Sequence, residues 1–174
     1  KVLTDINQKL EETALALYKF WFVDFKPFGG AMPDDWEIAT IEDVCKLCNS
    51  GGTPQTGVQE YWEKGDISWF STKELKDGFI SESEEKITQE GLNNSSAKLF
   101  PTNTILMAIY ASPTVGRLGI LTKSAAFNQA AVGLVLKDNV LSMEYMYLFL
   151  KTIYLYGCIT LCLMVYGFIV LPQH

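Results

Sequence analysis

The sequence predicts an α+β fold: a long N-terminal helix followed by a compact mixed, mostly antiparallel sheet domain with short helices. Three observations predict it. Apolar residues recur at helical spacing through residues 4–24. Pro27, Gly29 and Gly30 then stop that period. From Trp36 onward the apolar segments become short, β-branched or aromatic, and turn residues separate them. The 174 residues suffice for one domain with a hydrophobic core plus an appended element, read as a helix over 1–26 and a domain over 33–174.

In the helix, Thr4 or Asp5 is the expected N-cap. Ile6, Leu10, Leu17 and Phe20, with Thr13 between, fall on one face at steps of three and four. A second set, Ala14, Leu15, Tyr18, Trp21, Phe22 and Phe25, widens the stripe. The first half therefore reads as a coiled-coil seam and the second as buried on more sides. Residues 26–35 form the boundary. Strands are expected at 36–40, 44–48, 67–70, 104–111, 118–122 and 131–136, with mostly local connections. Turn signals fall at Ser50-Gly51-Gly52, Gly65-Asp66 and Pro101-Thr102-Asn103. A short helix is expected over 88–95. A longer one starts after Ser142 and runs to Tyr156, with Tyr145, Leu148, Phe149 and Ile153 facing the core.

The hydrophobic fraction of 48% and the aromatic fraction of 13% fit a folded chain. The net charge of −6 counts against indiscriminate nucleic-acid binding, although a local basic patch remains open. Cys45, Cys48, Cys158 and Cys162 have a spacing that invites zinc, but they sit in apolar runs where cysteine acts as a small buried hydrophobe. No metal is therefore expected, and a reducing cytoplasm is the expected location. Lys1 follows no signal-peptide pattern, so the chain is expected to begin partway through a longer reading frame. Tyr154 to Leu171 is a run of 18 residues without a charge, long enough to be a candidate membrane span.

Parts for catalysis are scarce. The single histidine, His174, ends the chain. Gly51-Gly52-Thr53-Pro54 lacks the lysine and helix of a phosphate loop, and Glu82, Glu84 and Glu85 read as a solvated charge run. Binding has better material. Ser71-Thr72-Lys73 follows an apolar strand and offers hydroxyl and ammonium donors suited to phosphate oxygens; an ST-type turn is an equal reading. Tyr110 to Gly119 is a loop between two apolar strands and carries the sole arginine, Arg117, beside Gly116 and near Gly119. A guanidinium fork suits guanine or phosphate, although an ordinary surface ion pair accounts for a lone arginine as well. Asn128-Gln129 could read adenine or tie loops together.

These segments, in this order, resemble the DNA-sequence-specificity subunits of type I restriction–modification enzymes. Asn7 to Glu12 and Leu17 to Phe25 resemble the family's spacer helix, whose pattern is close to N-x-K-L-E-E-x-A-x-x-L-F-x-x-W-F-V-D-F. Trp36-Glu37, Gly51 to Pro54 and Gly65 to Leu75 resemble the opening of a target-recognition domain. Gly91 to Lys98, Tyr110 to Leu121 and Phe127 to Ala130 continue it. The resemblance covers roughly residues 5–150.

The resemblance implies a non-catalytic reader of one half of a split duplex target. Its spacer helix would dock methyltransferase subunits, and restriction subunits would join indirectly. It implies no cofactor of its own, since S-adenosylmethionine and ATP with magnesium belong to the partner subunits. The residues it singles out for DNA contact are Thr72, Lys73, Ser112, Thr114 and Arg117; for partner binding they are Ile6, Leu10, Leu17 and Phe20. One helix and one domain amount to half a subunit, so a homodimer through the helix is open, as is an assembly fragment without DNA binding or a truncated remnant. The stretch after Thr152 departs from the family. It reads as a divergent domain end with strands broken at Gly157 and Gly167, as an out-of-frame tail, or as a membrane span.

Overall fold

The computed structural model describes residues 2–110, 113–155 and 168–172. Packing divides the chain into two compact units. The first is Lys1–Val44 with Asn139–His174, and the second is Cys45–Asp138.

The first unit opens with helix α1, Val2–Phe22. Thr4 and Asp5 lie within its first turn and are not its cap, where Asp5 still suits the positive end of the helix dipole. Past the helix, Phe25 adopts a left-handed backbone (φ 49°), and a 3-10 turn over Lys26–Phe28 leads into Gly29 and Gly30, both at positive φ. Strand β1, Glu37–Thr40, and the short helix α2, Ile41–Val44, follow. Helix α4, Met143–Leu155, and strand β10, Phe168–Leu171, complete the unit. β1 and β10 pair antiparallel, from Glu37 opposite Leu171 to Thr40 opposite Phe168.

The two apolar sets of α1 have different fates. Tyr18 is buried, with its ring 5.2 Å from Tyr145 of α4, and Phe22 lies 4.9 Å from that same ring. Tyr145 donates its hydroxyl to the Val170 carbonyl at 2.6 Å, so one side chain joins α1, α4 and β10. Glu11 accepts from Lys151 Nζ at 3.2 Å. By contrast Ile6, Leu10, Leu17 and Phe20 are all exposed, between 47% and 62%. Trp21 is exposed as well, so the second half of the helix is not buried on all sides. In α4 the buried positions are Met146, Phe149 and Leu150, a face turned from the expected Tyr145, Leu148, Phe149 and Ile153.

The second unit holds strands β2 (Cys45–Ser50), β3 (Ile67–Phe70), β4 (Phe79–Ile80), β5 (Glu85–Ile87), β6 (Ile105–Ala108), β7 (Leu118–Leu121), β8 (Ala126–Phe127) and β9 (Ala131–Leu136). The short helix α3 (Gln89–Asn93) lies between β5 and β6. A five-stranded sheet runs β2-β9-β6-β7-β4, and a three-stranded one runs β5-β3-β8. Most described pairings are antiparallel, while β3–β8 and β4–β7 are parallel. The expected local connections are corrected by this order. Among the described residues only β6 and β7 pair as neighbours in sequence, and β2 pairs with β9 from the far end of the unit. Parallel pairs also require crossovers. The core gathers Phe70, Leu75, Phe100, Leu106, Leu121 and Phe127, with the Phe100 and Phe127 rings 4.6 Å apart.

Cys45 is buried, and its thiol is pushed up to about 12 by that burial. Cys48 is exposed, against expectation, because β2 is an edge strand with an irregular register beside it. Among the described residues no group of three or more potential ligands could hold a metal, and no helix is long and apolar enough to cross a membrane. Cys158, Cys162, His174 and residues 156–167 of the tail lie outside the described residues. The end of the tail, Phe168–Leu171, is the strand β10.

Candidate nucleic-acid interface

The segment after β3 folds by a local rule. Ser71 N–H and Ser71 Oγ both donate to Glu74 Oε2 at 2.7 Å, a capping-box arrangement that starts a 3-10 turn over Thr72–Glu74. Thr72 is buried by this turn, while Lys73 projects into solvent and pairs with Glu84 at 2.8 Å. The Ser71 hydroxyl is thus engaged within the turn. Ser71 therefore serves its local turn, as a cap, and of this trio Lys73 alone faces outward.

Leu75 then enters the core, and the chain reverses through Lys76-Asp77-Gly78 with positive φ at Asp77 and Gly78. Asp77 closes on β7: its N–H donates to the Leu118 carbonyl, and Leu118 N–H donates to Asp77 Oδ1, both at 3.0 Å. These two bonds join the Lys73–Lys76 segment to the residue next to Arg117. The structure therefore brings Lys73 and Arg117 onto adjoining segments.

The loop of Arg117 is the end of the β6–β7 hairpin. Ala108 N–H donates to the Arg117 carbonyl at 2.9 Å, Gly116 N–H to the Ala108 carbonyl at 2.8 Å, and Arg117 N–H to the Thr114 carbonyl at 3.0 Å. Gly116 takes φ 83°, which closes the turn at no Cβ cost. Thr114 is buried and Arg117 half-buried. Ser112 lies outside the described residues. Gly119 faces inward: a Cβ there would sit 2.8 Å from Leu75 Cδ2 and 3.0 Å from Ile80 Cδ1. Its smallness serves packing under the turn.

Two further motifs meet each other. A Cβ on Gly51 would collide with the Phe127 carbonyl, and Gly52 N–H donates to that carbonyl at 2.8 Å. Thr53 Oγ1 donates to Gln129 Oε1 at 2.5 Å, and Asn128 Oδ1 accepts the Ala130 N–H at 3.2 Å. The glycine pair and the Asn-Gln pair thus brace one another, which favours the loop-tying reading of those amides.

Sequence reasoning missed the partners of the cations. Glu82 and Glu84 are paired with Lys123 and Lys73, and Glu84 N–H donates to Glu74 Oε1 at 2.8 Å. It also missed an open cleft of about 390 Å³ lined by Thr56, Trp62, Trp69, Glu84, Glu85 and Lys86. The two indoles there stand edge to face at 5.2 Å, and Trp69 Nε1 donates to the Gly52 carbonyl at 2.9 Å.

A two-unit α+β chain with a long helix of open apolar face and a sheet unit whose loops carry cations is the class defined so far. Comparison with known proteins gives the family. The model of the type I restriction modification DNA specificity domain matches residues 33–161, and the chain belongs to that family. It is 35% identical over 143 residues to the type I restriction enzyme MjaIX specificity subunit of Methanocaldococcus jannaschii, covering 79% of this chain and 32% of that protein. It is 33% identical over 113 residues to the EcoR124I/EcoR124II specificity subunit of Escherichia coli, covering 64% of this chain and 28% of that one. The chain thus spans about a third of the length of these curated relatives. In fold it is similar to the HsdS subunit of Thermoanaerobacter tengcongensis, with TM-score 0.67 at 19% identity, over 98% of this chain and 41% of that one. The S subunit from M. genitalium gives TM-score 0.63 at 15% identity, over 97% and 43%.

Proposed function

We propose that this chain reads one half of a split duplex-DNA target for a type I restriction–modification system and docks methyltransferase subunits through α1. The observation that carries the reading is the family match over residues 33–161, joined to loops that bring Lys73 and Arg117 onto adjoining segments. Within it, residues 33–174 act as the recognition domain and 1–26 as the spacer helix. Lys73 contacts phosphate and Arg117 a base edge or phosphate, and Ser112, which precedes Arg117 in sequence, joins them in contacting DNA. Buried Thr72 and Thr114 act through the backbone of their turns. The exposed seam of Ile6, Leu10, Leu17 and Phe20 supports partner docking, or pairing with a second copy of this chain.

The chain itself is non-catalytic in this reading and acts in the cytoplasm. S-adenosylmethionine, ATP and magnesium are held by partner subunits, and restriction subunits join indirectly. The test is selection from a randomised duplex library with and without a methyltransferase subunit. Enrichment of a short motif is expected, and a palindromic pair at fixed spacing would reveal the homodimer. No enrichment even with the methyltransferase would overturn the reading.

A further inference from the structure

Carboxylates already sit on Lys73 of the candidate interface and on Lys123, which follows β7. Glu82 and Glu84 stand two residues apart on the connection between β4 and β5. Lys123 Nζ donates to Glu82 Oε1 at 2.7 Å, and Lys73 Nζ lies 2.8 Å from Glu84 Oε2. The two lysines come from distant segments, one after β3 and one after β7.

The acidic segment is held in place. Glu84 N–H donates to Glu74 Oε1, Ser83 Oγ donates to the Glu85 carbonyl at 2.6 Å, and Ser83 Oγ accepts the Trp69 N–H at 3.2 Å. Lys76 also lies near Glu84, and Lys86 near Glu82. Four of the nine basic residues of the second unit therefore act electrostatically on these two carboxylates. Both ion pairs are exposed on both sides. Exposed pairs add little to stability and are easily exchanged, so stability is a poor account of a segment fixed so firmly over this patch.

We propose that Glu82 and Glu84 form an acidic mask over the Lys73–Lys123 patch, standing where backbone phosphates of a duplex sit once it is bound. This rests on the reading of the chain as a duplex reader. A lysine already paired with a fixed carboxylate gains less from an arbitrary phosphate. Binding by charge alone is therefore suppressed, and base contacts must offset the exchange. The mask makes Glu82 and Glu84 specificity-determining residues although they touch no base.

The test uses the full chain and a scrambled duplex of about 30 base pairs, with anisotropy titrations across salt. The variant is Glu82→Gln with Glu84→Gln. The control, Glu63→Gln with Glu90→Gln, makes the same charge change at two other exposed positions of the unit. Two unmasked lysines should steepen the slope of log K against log salt by up to about two. They should also raise low-salt affinity by about tenfold over the control, since one phosphate contact is worth roughly half a decade over a fourfold salt change. Equal behaviour of the two double variants would overturn the mask, as would absence of duplex binding by all three proteins. If circular dichroism shows the double variant unfolded, Glu82→Gln alone carries the test with half the expected slope change. Library selection judges the underlying reading separately: a chain that selects a motif while the masked and unmasked forms bind scrambled duplex alike overturns the mask only.

Discussion

Replacing Leu10 and Leu17 by glutamate should leave the chain folded and weaken the association proposed for α1. These residues are 62% and 55% exposed on α1, so their loss removes little packing within the chain. Surface substitutions of this kind shift stability by about 0.5 kcal/mol or less each. Docking is another matter. Full burial of a leucine side chain is worth about 1.5–3 kcal/mol, and slightly more than half of that remains to be gained at each position. Together they offer about 1.8–3.5 kcal/mol, a factor of roughly 20 to 400 in Kd. Two carboxylates buried in an apolar seam would add to the loss. Sedimentation velocity of the chain, alone and with a methyltransferase subunit, measures the association; circular dichroism melting measures the fold. Tyr18→Ala supplies the contrast, because Tyr18 is buried against Phe22 and Tyr145 and its removal should lower the melting point. Association unchanged by the double substitution would refute the argument, and so would a melting loss as large as that of Tyr18→Ala.

Arg117→Ala should weaken specific duplex binding by about 1–3 kcal/mol and relax the sequence preference, read by repeating the library selection. Unchanged affinity and preference would remove Arg117 from the interface. Leu75→Ala should destabilise the second unit by about 2–5 kcal/mol, measured by urea unfolding, because Leu75 is fully buried beneath the turn that carries Lys73. Burial raises the Cys45 thiol above its usual 9.0, so the folded chain keeps a proton that the unfolded chain releases above about pH 9. Its contribution to stability is present below that pH and is lost as pH climbs toward 12, a decline that Cys45→Ala should flatten. Alkylation at pH 8 followed by peptide mass spectrometry should find exposed Cys48 modified well before Cys45.

The longer elements were legible because their apolar residues recur at helical spacing or form runs bounded by turn residues. β3 and β9 fall on the expected 67–70 and 131–136, and α1 and α4 lie within about two residues of their expected bounds. What escaped was short or relational. β4, β5 and β8 have two or three residues, too few to show a period, and form because β7 and β3 offer edges to pair with. The buried face of α4 was misjudged because Met143–Leu155 is apolar nearly all round, so its packing and not its period selects Met146, Phe149 and Leu150. At the candidate interface, the S-x-x-E spacing from Ser71 to Glu74 was a usable sign that those groups cap a turn. No local pattern could announce that Glu84 would meet Lys73 or that Asp77 would close on Leu118, since those pairings exist only once β4 lies beside β7.

The acidic balance of the chain takes on a different meaning when charge is assigned by unit. Of 14 basic and 20 acidic residues, the second unit holds nine and ten, a net −1, and the first holds five and ten, a net −5. The excess that argued against nucleic-acid binding belongs mostly to the helical unit. The sheet unit is close to neutral, and both of its Lys–Glu pairs after β3 and β7 are already closed. Such a surface has little net positive charge to release counterions from a duplex, so its binding should show a shallow salt dependence and little affinity for arbitrary sequence. On the proposed reading, its discrimination comes from base-edge contacts such as Arg117 can make, and the bulk of the electrostatic hold on DNA from the proposed methyltransferase partner. Salt titration of the chain alone and of its methyltransferase complex separates the two: the slope should be shallow in the first and steep in the second, and an equally steep slope for the isolated chain would mean that the sheet unit carries its own phosphate clamp.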